Sequence, residues 1–327
     1  MSSEQDARSL AREAIAESLK LARSGELERA RLALDTLAGN RVLLEAAELG
    51  PSTMLGLPRK LHSAYLKLAK ITNDPVRVAG LQVTLAPPTD LLSDLFTFDG
   101  DNRRRMTRLS GDKVPLVLHQ IWLGTLPLPP ATEAWRQHCK SHGMEYRLWR
   151  EADLAAAGFD DHPSFHGMLA RSDYPGAVDV ARYMILEKFG GIYLDCDWYP
   201  ARDDQSFADY LPLVGISVLA EDIPRKTSTG SLLLANSFIA APAGHPVFSR
   251  IVEAMPCVME RLPRAPAWWS TGPLIFTLAS RSTSICVAET GFVVANLPRQ
   301  APFEAVEAAR QSASDRDGGL LIAWKSW

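Results

Sequence analysis

The chain reads as an α/β protein, a mostly parallel sheet flanked by helices, preceded by an N-terminal all-helical extension. Three observations predict this. From about residue 114 onward short apolar runs alternate with helical segments, the pattern of strands joined by crossover helices. Before that point apolar residues recur at helical spacing. The length, 327 residues with 46% hydrophobic and 22% charged content, exceeds what one core usually holds and predicts two parts. We place them at 1–110, a helical region with its connector, and 111–327, the α/β domain.

The first forty residues predict a helical hairpin. Ala11, Ile15, Ser18 and Ala22 repeat at helical spacing, Ser24-Gly25 breaks the pattern, Leu27, Ala30, Leu34 and Leu37 resume it, and Gly39-Asn40 ends it. Its length and small-residue packing match one tetratricopeptide-type unit, but no second copy follows, and solenoids need several stacked units. It is therefore read as a helical cap, with contact to a partner through these helices as the other reading. A helix over 57–71 follows from the stripe Leu57, Leu61, Ala64 and Leu68, and another opens with Asp74 as cap and Pro75 at its first position. Pro87-Pro88 punctuates the chain, and the charged run from Asp99 to Arg105 reads as a connector. The α/β pattern begins at the apolar stretch Val114 to Trp122. In open α/β sheets ligands sit beyond the carboxyl ends of strands, here after Trp122 and around Asp195.

Charge and targeting signals narrow the function classes. A formal charge of −3 supplies no basic field, which argues against nucleic-acid phosphate binding. Cys139, Cys196, Cys257 and Cys286 are widely spaced, with no C-x-x-C pair, and read as free thiols. The polar start lacks the basic-then-apolar pattern of a secretory signal, and charged residues interrupt every apolar run before it reaches bilayer length. The expectation is a cytoplasmic protein, at most peripheral to the inner face of a membrane.

The most specific segment runs from Asp179 to Asp197: a helix, a glycine stop, and a buried strand ending in acids. Spacing of three and four puts Asp179, Arg182 and Tyr183 on one helix face, and Gly190 permits a left-handed helix exit. Asp195 and Asp197 alternate with Cys196, so continued strand geometry would aim both carboxylates to one side and Cys196 inward. Two hard oxygen donors suit Mg²⁺ or Mn²⁺, which with phosphate oxygens would neutralise a departing diphosphate.

This segment resembles the DXD sugar transferases of glycosyltransferase family 32 and, more distantly, the glucosyltransferase domains of large clostridial toxins. In those enzymes an Asp-x-x-Arg helix precedes Gly-Gly-x-Tyr-Leu-Asp-x-Asp, and here Asp179 and Asp195 stand sixteen residues apart in agreement. Pro115 to Gly124 looks like the opening His-x-Ile-Trp segment; Asn236 to Ala241, Gly244-His245-Pro246, Thr271-Gly272-Pro273 and the final Ser326-Trp327 follow in the family's order, covering roughly 114–327. The ending departs from the pattern, since many relatives carry histidine before Ser-Trp and this chain reads Ala323-Trp324-Lys325. The resemblance implies the GT-A fold, which is Rossmann-like, and retaining transfer of a hexose from a UDP- or GDP-linked donor. The acceptor it implies is a glycan, lipid-linked, small-molecule or protein hydroxyl, in polysaccharide biosynthesis or a related route. It also implies roles: Asp195 and Asp197 on Mn²⁺ or Mg²⁺ and diphosphate, Asp179 on sugar hydroxyls, Arg182 on sugar or phosphate, Trp122 on the base. Tyr193 joins the donor site, Ser326 and Trp327 close over metal and diphosphate, and Asn236 stands near the reacting centre.

Blander readings stand beside these. Asp179 and Arg182 also fit a helix-surface ion pair. His138 and His142, four apart without a His-Glu-x-x-His pattern, read as surface histidines, and His119 as a buried structural one. Trp268-Trp269 fits an acceptor platform and local packing equally well. A phosphatase reading is disfavoured because no hydroxyl residue follows Asp197, and a degenerate, partner-binding transferase domain is the remaining alternative.

Overall fold

The computed structural model describes residues 2–85, 91–220, 233–263, 265–316 and 318–327. Pro87-Pro88 lies outside the described residues. The chain divides into two compact units, one built from 2–94 with 259–269, the other from 95–220, 233–258 and 270–327.

The first unit is helical. Helices span Ser2–Arg23, Leu27–Gly39, Arg41–Ala46, Arg59–Ile71 and Pro75–Leu85. Gly25, at φ +88°, makes the hairpin turn. Asn40 then caps the next helix, its side chain accepting from Leu43 N–H at 3.0 Å, and Asp74 accepts from Arg77 N–H at 3.0 Å. The predicted stripes meet in one core that includes Ala11, Ala22, Ala30, Leu34, Leu37, Leu61 and Leu68. Ser18 falls on an apolar stripe because its buried hydroxyl donates to the Ala30 carbonyl at 2.7 Å, tying the hairpin together. The segment 259–269 belongs to this unit: Arg261 pairs with Asp94, and the Arg59 guanidinium lies 5.8 Å over the buried Trp269 ring. Among the described residues no helix is long and apolar enough to cross a membrane.

The second unit is α/β. Its strands are β1 (Val117–Ile121), β2 (Glu145–Trp149), β3 (Gly191–Leu194), β4 (Trp198–Pro200), β5 (Ile216–Ala220), β6 (Leu234–Ala241), β7 (Ile285–Val287), β8 (Val293–Asn296) and β9 (Leu321–Ala323). A six-stranded sheet has the order β2-β1-β3-β6-β5-β7, and a three-stranded sheet the order β4-β9-β8. The large sheet is mostly parallel as expected; β6 alone runs opposite, pairing antiparallel with β3 on one side and β5 on the other. β1 and β3 are buried along their whole length; β3 reads as an apolar run, and β1 carries the buried polar pair His119 and Gln120, each hydrogen-bonded. The Asp-x-Asp segment is the link between β3, in the centre of the large sheet, and β4 in the small one.

One element differs from its sequence reading. The charged run after Asp99 is not a connector but the start of the helix Gly100–Leu109. Asp99 caps it, accepting from Asn102 N–H at 2.8 Å, and the helix buries Met106 and Leu109 while its arginines face water. This helix falls in the α/β unit, whose first residue is Leu95, fifteen or so positions before the divide read from composition.

Candidate active site

The helix Tyr174–Phe189 delivers the first group of site residues. Asp173 caps it by accepting from Gly176 N–H at 3.0 Å, and its buried residues run from Gly176 to Leu186 with Val180, Tyr183 and Ile185 wholly enclosed. It ends at Gly190, whose φ of 62° is positive as expected, but whose ψ of −153° is extended rather than left-handed helical. That region is open essentially to glycine alone. A Cβ at Gly190 would lie 2.5 Å from the Ala243 nitrogen, and one at Gly191 2.7 Å from the Val117 carbonyl oxygen. The glycine pair thus lets β3 enter the sheet at close approach to its neighbours. His119 secures the entry: Nε2 donates to the Gly190 carbonyl at 3.1 Å, the tautomer assigned because Nδ1 accepts from the Trp149 indole N–H at 3.1 Å. Burial pushes this imidazole down to about 4, so it is a neutral, structural histidine.

Arg182 is the hub. Its side chain is 4% exposed, and Nη2 stands 3.0 Å from Oδ1 of both Asp179 and Asp195. Nη1 donates to the Asn236 carbonyl, and the guanidinium lies 4.5 Å over the Tyr193 ring. Asp179 also accepts from Asn236 Nδ2 at 2.8 Å and from Thr271 Oγ1 at 2.9 Å, and the same amide reaches the Tyr183 hydroxyl at 3.1 Å. The Asp-x-x-Arg helix, β6 and the Thr-Gly-Pro turn therefore converge on one buried network, not a surface ion pair. Burial raises the Asp179 carboxyl to about 6, against the pull of Arg182 and the two donors. Burial also works against the Arg182 charge, but Asp195, Tyr193 and Asp179 outweigh it and hold the guanidinium charged. Two carboxylates share one cation, a strongly polarised arrangement.

The two aspartates reach the site differently from the strand-alternation reading. β3 ends at Leu194, and Cys196-Asp197 form a turn in which Trp198 N–H donates to the Asp195 carbonyl at 3.3 Å. Asp195 is fastened on every side: N–H to the Ser237 carbonyl at 2.8 Å, C=O from Gln120 Nε2 at 3.3 Å, and Oδ1 from the Tyr193 hydroxyl at 2.7 Å. Tyr193 is wholly buried, so it stands behind Asp195 and orients it. Cys196 does point inward, its thiol donating to the Ile121 carbonyl at 3.4 Å. Asp197 is partly open to solvent; burial and then the Asp195 charge raise its carboxyl to about 6, while Lys325 pulls it down. Sequence reasoning missed Gln120 and Tyr146. Tyr146 donates to Gln120 Oε1 at 2.9 Å and so aims the amide at Asp195. The available signal was an uncharged polar residue inside a fully buried strand.

The donor chemistry at this turn fits a hard divalent cation. Asp195 and Asp197 offer carboxylate oxygens, and among the described residues no group of three or more His, Cys, Asp or Glu is placed to hold a metal. An ion bound here would keep positions open to phosphate and water oxygens, as Mg²⁺ sites do.

The C-terminal segment arrives by β9, which pairs with β4 directly after the turn, Trp198 opposite Ala323. Trp324 N–H donates to the Asp197 carbonyl at 2.6 Å, Gln300 N–H to the Lys325 carbonyl at 2.7 Å, and Arg299 Nε to the Trp327 carbonyl at 2.8 Å. Ser326 is partly buried within this strap. Trp327 meets Trp122 edge to face at 4.8 Å, and the Trp122 indole donates to the Leu126 carbonyl at 2.9 Å. First strand, Asp-x-Asp turn and last two residues are thus adjacent. Two other residues lie elsewhere. Trp269 packs within the helical unit, and His138 is buried edge-on to Trp135 at 5.0 Å rather than on the surface. All four cysteines are free.

Residues 131–210, which include Asp179, Arg182 and both aspartates of the turn, match the family model of the glycosyltransferase sugar-binding region containing DXD motif. This stretch of the chain is thus similar to a DXD glycosyltransferase region. Its relatives include inositol phosphoceramide mannosyltransferase 3 of Schizosaccharomyces pombe, 26% identical over 193 residues, which are 57% of this chain and 50% of that protein. Mannosyl phosphorylinositol ceramide synthase CSH1 of Saccharomyces cerevisiae is 26% identical over 171 residues, covering 50% of this chain and 42% of the relative. The chain therefore spans about half the length of the curated relatives it matches. Among solved structures, PaToxG Glycosyltransferase aligns with a TM-score of 0.41 at 17% identity, over 58% of this chain and 76% of that one. The DXD match begins in the helix Pro130–Ser141 and ends at Tyr210, so Trp122, Asn236, Thr271 and the C-terminal strap join the region through the fold.

Proposed function

We propose that the α/β unit is a retaining, metal-dependent hexosyltransferase, with mannose as the sugar its relatives' names favour, working from a nucleoside diphosphate donor. The observation that carries the reading is the buried sharing of Arg182 by Asp179 and Asp195 beside the Asp-x-Asp turn. A charged network of this kind costs desolvation energy and adds little stability over apolar packing, so its presence points to a ligand it orients.

In this reading the donor lies along the line from Trp122 to Asp179. The Trp122/Trp327 pair supplies the aromatic surface for the base, and the turn takes the diphosphate. Asp195 and Asp197 would hold a divalent cation, which when bound would supply charge neutralisation to the leaving group. Asp179, aimed by Thr271 and Asn236, accepts hydrogen bonds from sugar hydroxyls, and Arg182 fixes both carboxylates so that little reorganisation accompanies bond breaking. Chemically, the bond between the anomeric carbon and the diphosphate oxygen breaks with its electron pair leaving on the diphosphate, a bond from the acceptor oxygen to the anomeric carbon forms, and the acceptor hydroxyl proton passes to the departing diphosphate. Inositol-containing or other lipid-linked acceptors follow from the relatives' names, alongside glycan hydroxyls.

The test is thermal unfolding with GDP-mannose and a panel of UDP-hexoses, with and without Mn²⁺ or Mg²⁺. A ligand at a hundred times its Kd stabilises by about 2.7 kcal/mol. A metal-dependent shift with one donor, lost in the Asp195→Asn/Asp197→Asn variant, is the expected result. A shift indifferent to that variant overturns the metal assignment, and the degenerate-domain alternative predicts no slow donor hydrolysis in any combination.

A further inference from the structure

The C-terminal strap brings one more charge to the turn than the DXD motif accounts for. Lys325 is exposed, and among the described residues no carboxylate lies within ion-pair distance of its amine. Its backbone is not free to wander: its carbonyl accepts from Gln300 N–H at 2.7 Å, and the preceding residue is bonded to the Asp197 carbonyl at 2.6 Å. The amine lies 5.2 Å from the centroid of the Trp327 ring, which itself meets Trp122 at 4.8 Å. The amine thus lies beside the aromatic pair on a segment bonded to the acid turn, with three rotatable donors and, among the described residues, no carboxylate at ion-pair distance.

Charge balance at the turn gives this placement a meaning. Arg182 is spent on Asp179 and Asp195 and is 4% exposed, so it leaves little positive surface facing outward. A nucleoside diphosphate lying from base to acid pair would bring two phosphates past the strap. We propose that Lys325 binds the diphosphate of the donor directly, as a protein-borne positive charge that shares leaving-group neutralisation with the cation held by the aspartates. This rests on the donor-site reading above and deepens it. It also explains how a chain lacking histidine before Ser326-Trp327 still supplies a polar group at that place.

Calorimetric titration of the full chain with GDP, GMP, UDP and UMP, first without metal and then with Mn²⁺, tests it. Lys325→Ala should weaken the better-binding diphosphate about tenfold without metal, leave the matching monophosphate within about twofold, and lose that difference as salt rises; Lys325→Arg should recover most of the affinity. A thermal midpoint equal to that of the unaltered chain shows the variant is folded. Diphosphate binding by Lys325→Ala equal to the unaltered chain overturns the proposal, as does an equal loss for mono- and diphosphate, which would mean Lys325 serves only the strap or balances Asp197. The Asp195→Asn/Asp197→Asn variant separates the two readings. Loss of Mn²⁺-dependent binding there, with Lys325→Ala unaffected, leaves the donor site standing and removes Lys325 alone, whereas no nucleotide binding by the unaltered chain removes both.

Discussion

At the scale of single residues the site is held by donors aimed at buried carboxylates. Thr271 gives one of them to Asp179 at 2.9 Å. Thr271→Val keeps the shape but removes the donor, and a hydrogen bond to a charged group is worth about 2 kcal/mol. A loss of that size in urea unfolding is expected for valine and almost none for Thr271→Ser. His119 gives a pH signature. Its folded value of about 4 lies below the ordinary 6.5, so its contribution to stability is complete above pH 6.5 and is lost as the pH falls toward 4, because the unfolded chain takes up the proton first. The loss approaches about 3 kcal/mol at about 1.4 kcal/mol per unit. Asp179 and Asp197, raised to about 6, act oppositely and gain stability as the pH falls below 6. The difference in pH slope between the unaltered chain and His119→Gln isolates the histidine. Residue identities were legible here where a charge or glycine stood in a recognisable pattern. Gln120 and Tyr146 were not, since an amide and a phenol carry no periodic signal and their alignment with Asp195 exists only once β1, β2 and β3 are paired.

At the scale of elements, the junction of the helix Tyr174–Phe189 with β3 is the most constrained backbone. Gly190→Ala and Gly191→Ala each combine a positive φ with Cβ contacts below 3 Å to backbone atoms, and each should cost about 3 kcal/mol or more, measured as a lowered unfolding midpoint with weakened donor binding. The helix Pro246–Arg261 has another local solution. Pro256 lacks the N–H that would bond to Val252, and the Val252 carbonyl instead accepts from His162 Nε2 at 3.1 Å. His162→Ala should destabilise the chain, and by about 1 kcal/mol less when Pro256→Ala restores the helical donor, in a double-mutant unfolding cycle. Periodicity made the helices of the first unit and the apolar strands visible. The helix Gly100–Leu109 escaped because three consecutive arginines mask the two residues it buries, and only the Asp99 cap announced it.

At the scale of the whole molecule, the chain is not divided at one point. The segment 259–269 returns to the helical unit, where Trp269 is buried and Arg261 pairs with Asp94. A chain beginning at residue 95 would carry Trp269 without its partners; we expect it to aggregate in size-exclusion chromatography, and Trp268→Ser/Trp269→Ser to restore soluble protein. The sequence by itself determined the α/β class, the helical extension, the Asp179-to-Asp197 segment and its sugar-transferase resemblance. Those follow from local spacing and from backbone demands that only glycine or a capping residue meets. The tertiary structure decided what spacing cannot: that Asp195 and Asp197 stand on a turn, that Arg182 is shared, that Thr271 serves Asp179 from 92 residues away, and that the last residues cross the turn. Each of these depends on strand order and on contacts between segments distant along the chain, and such contacts are set by the packing of the whole core.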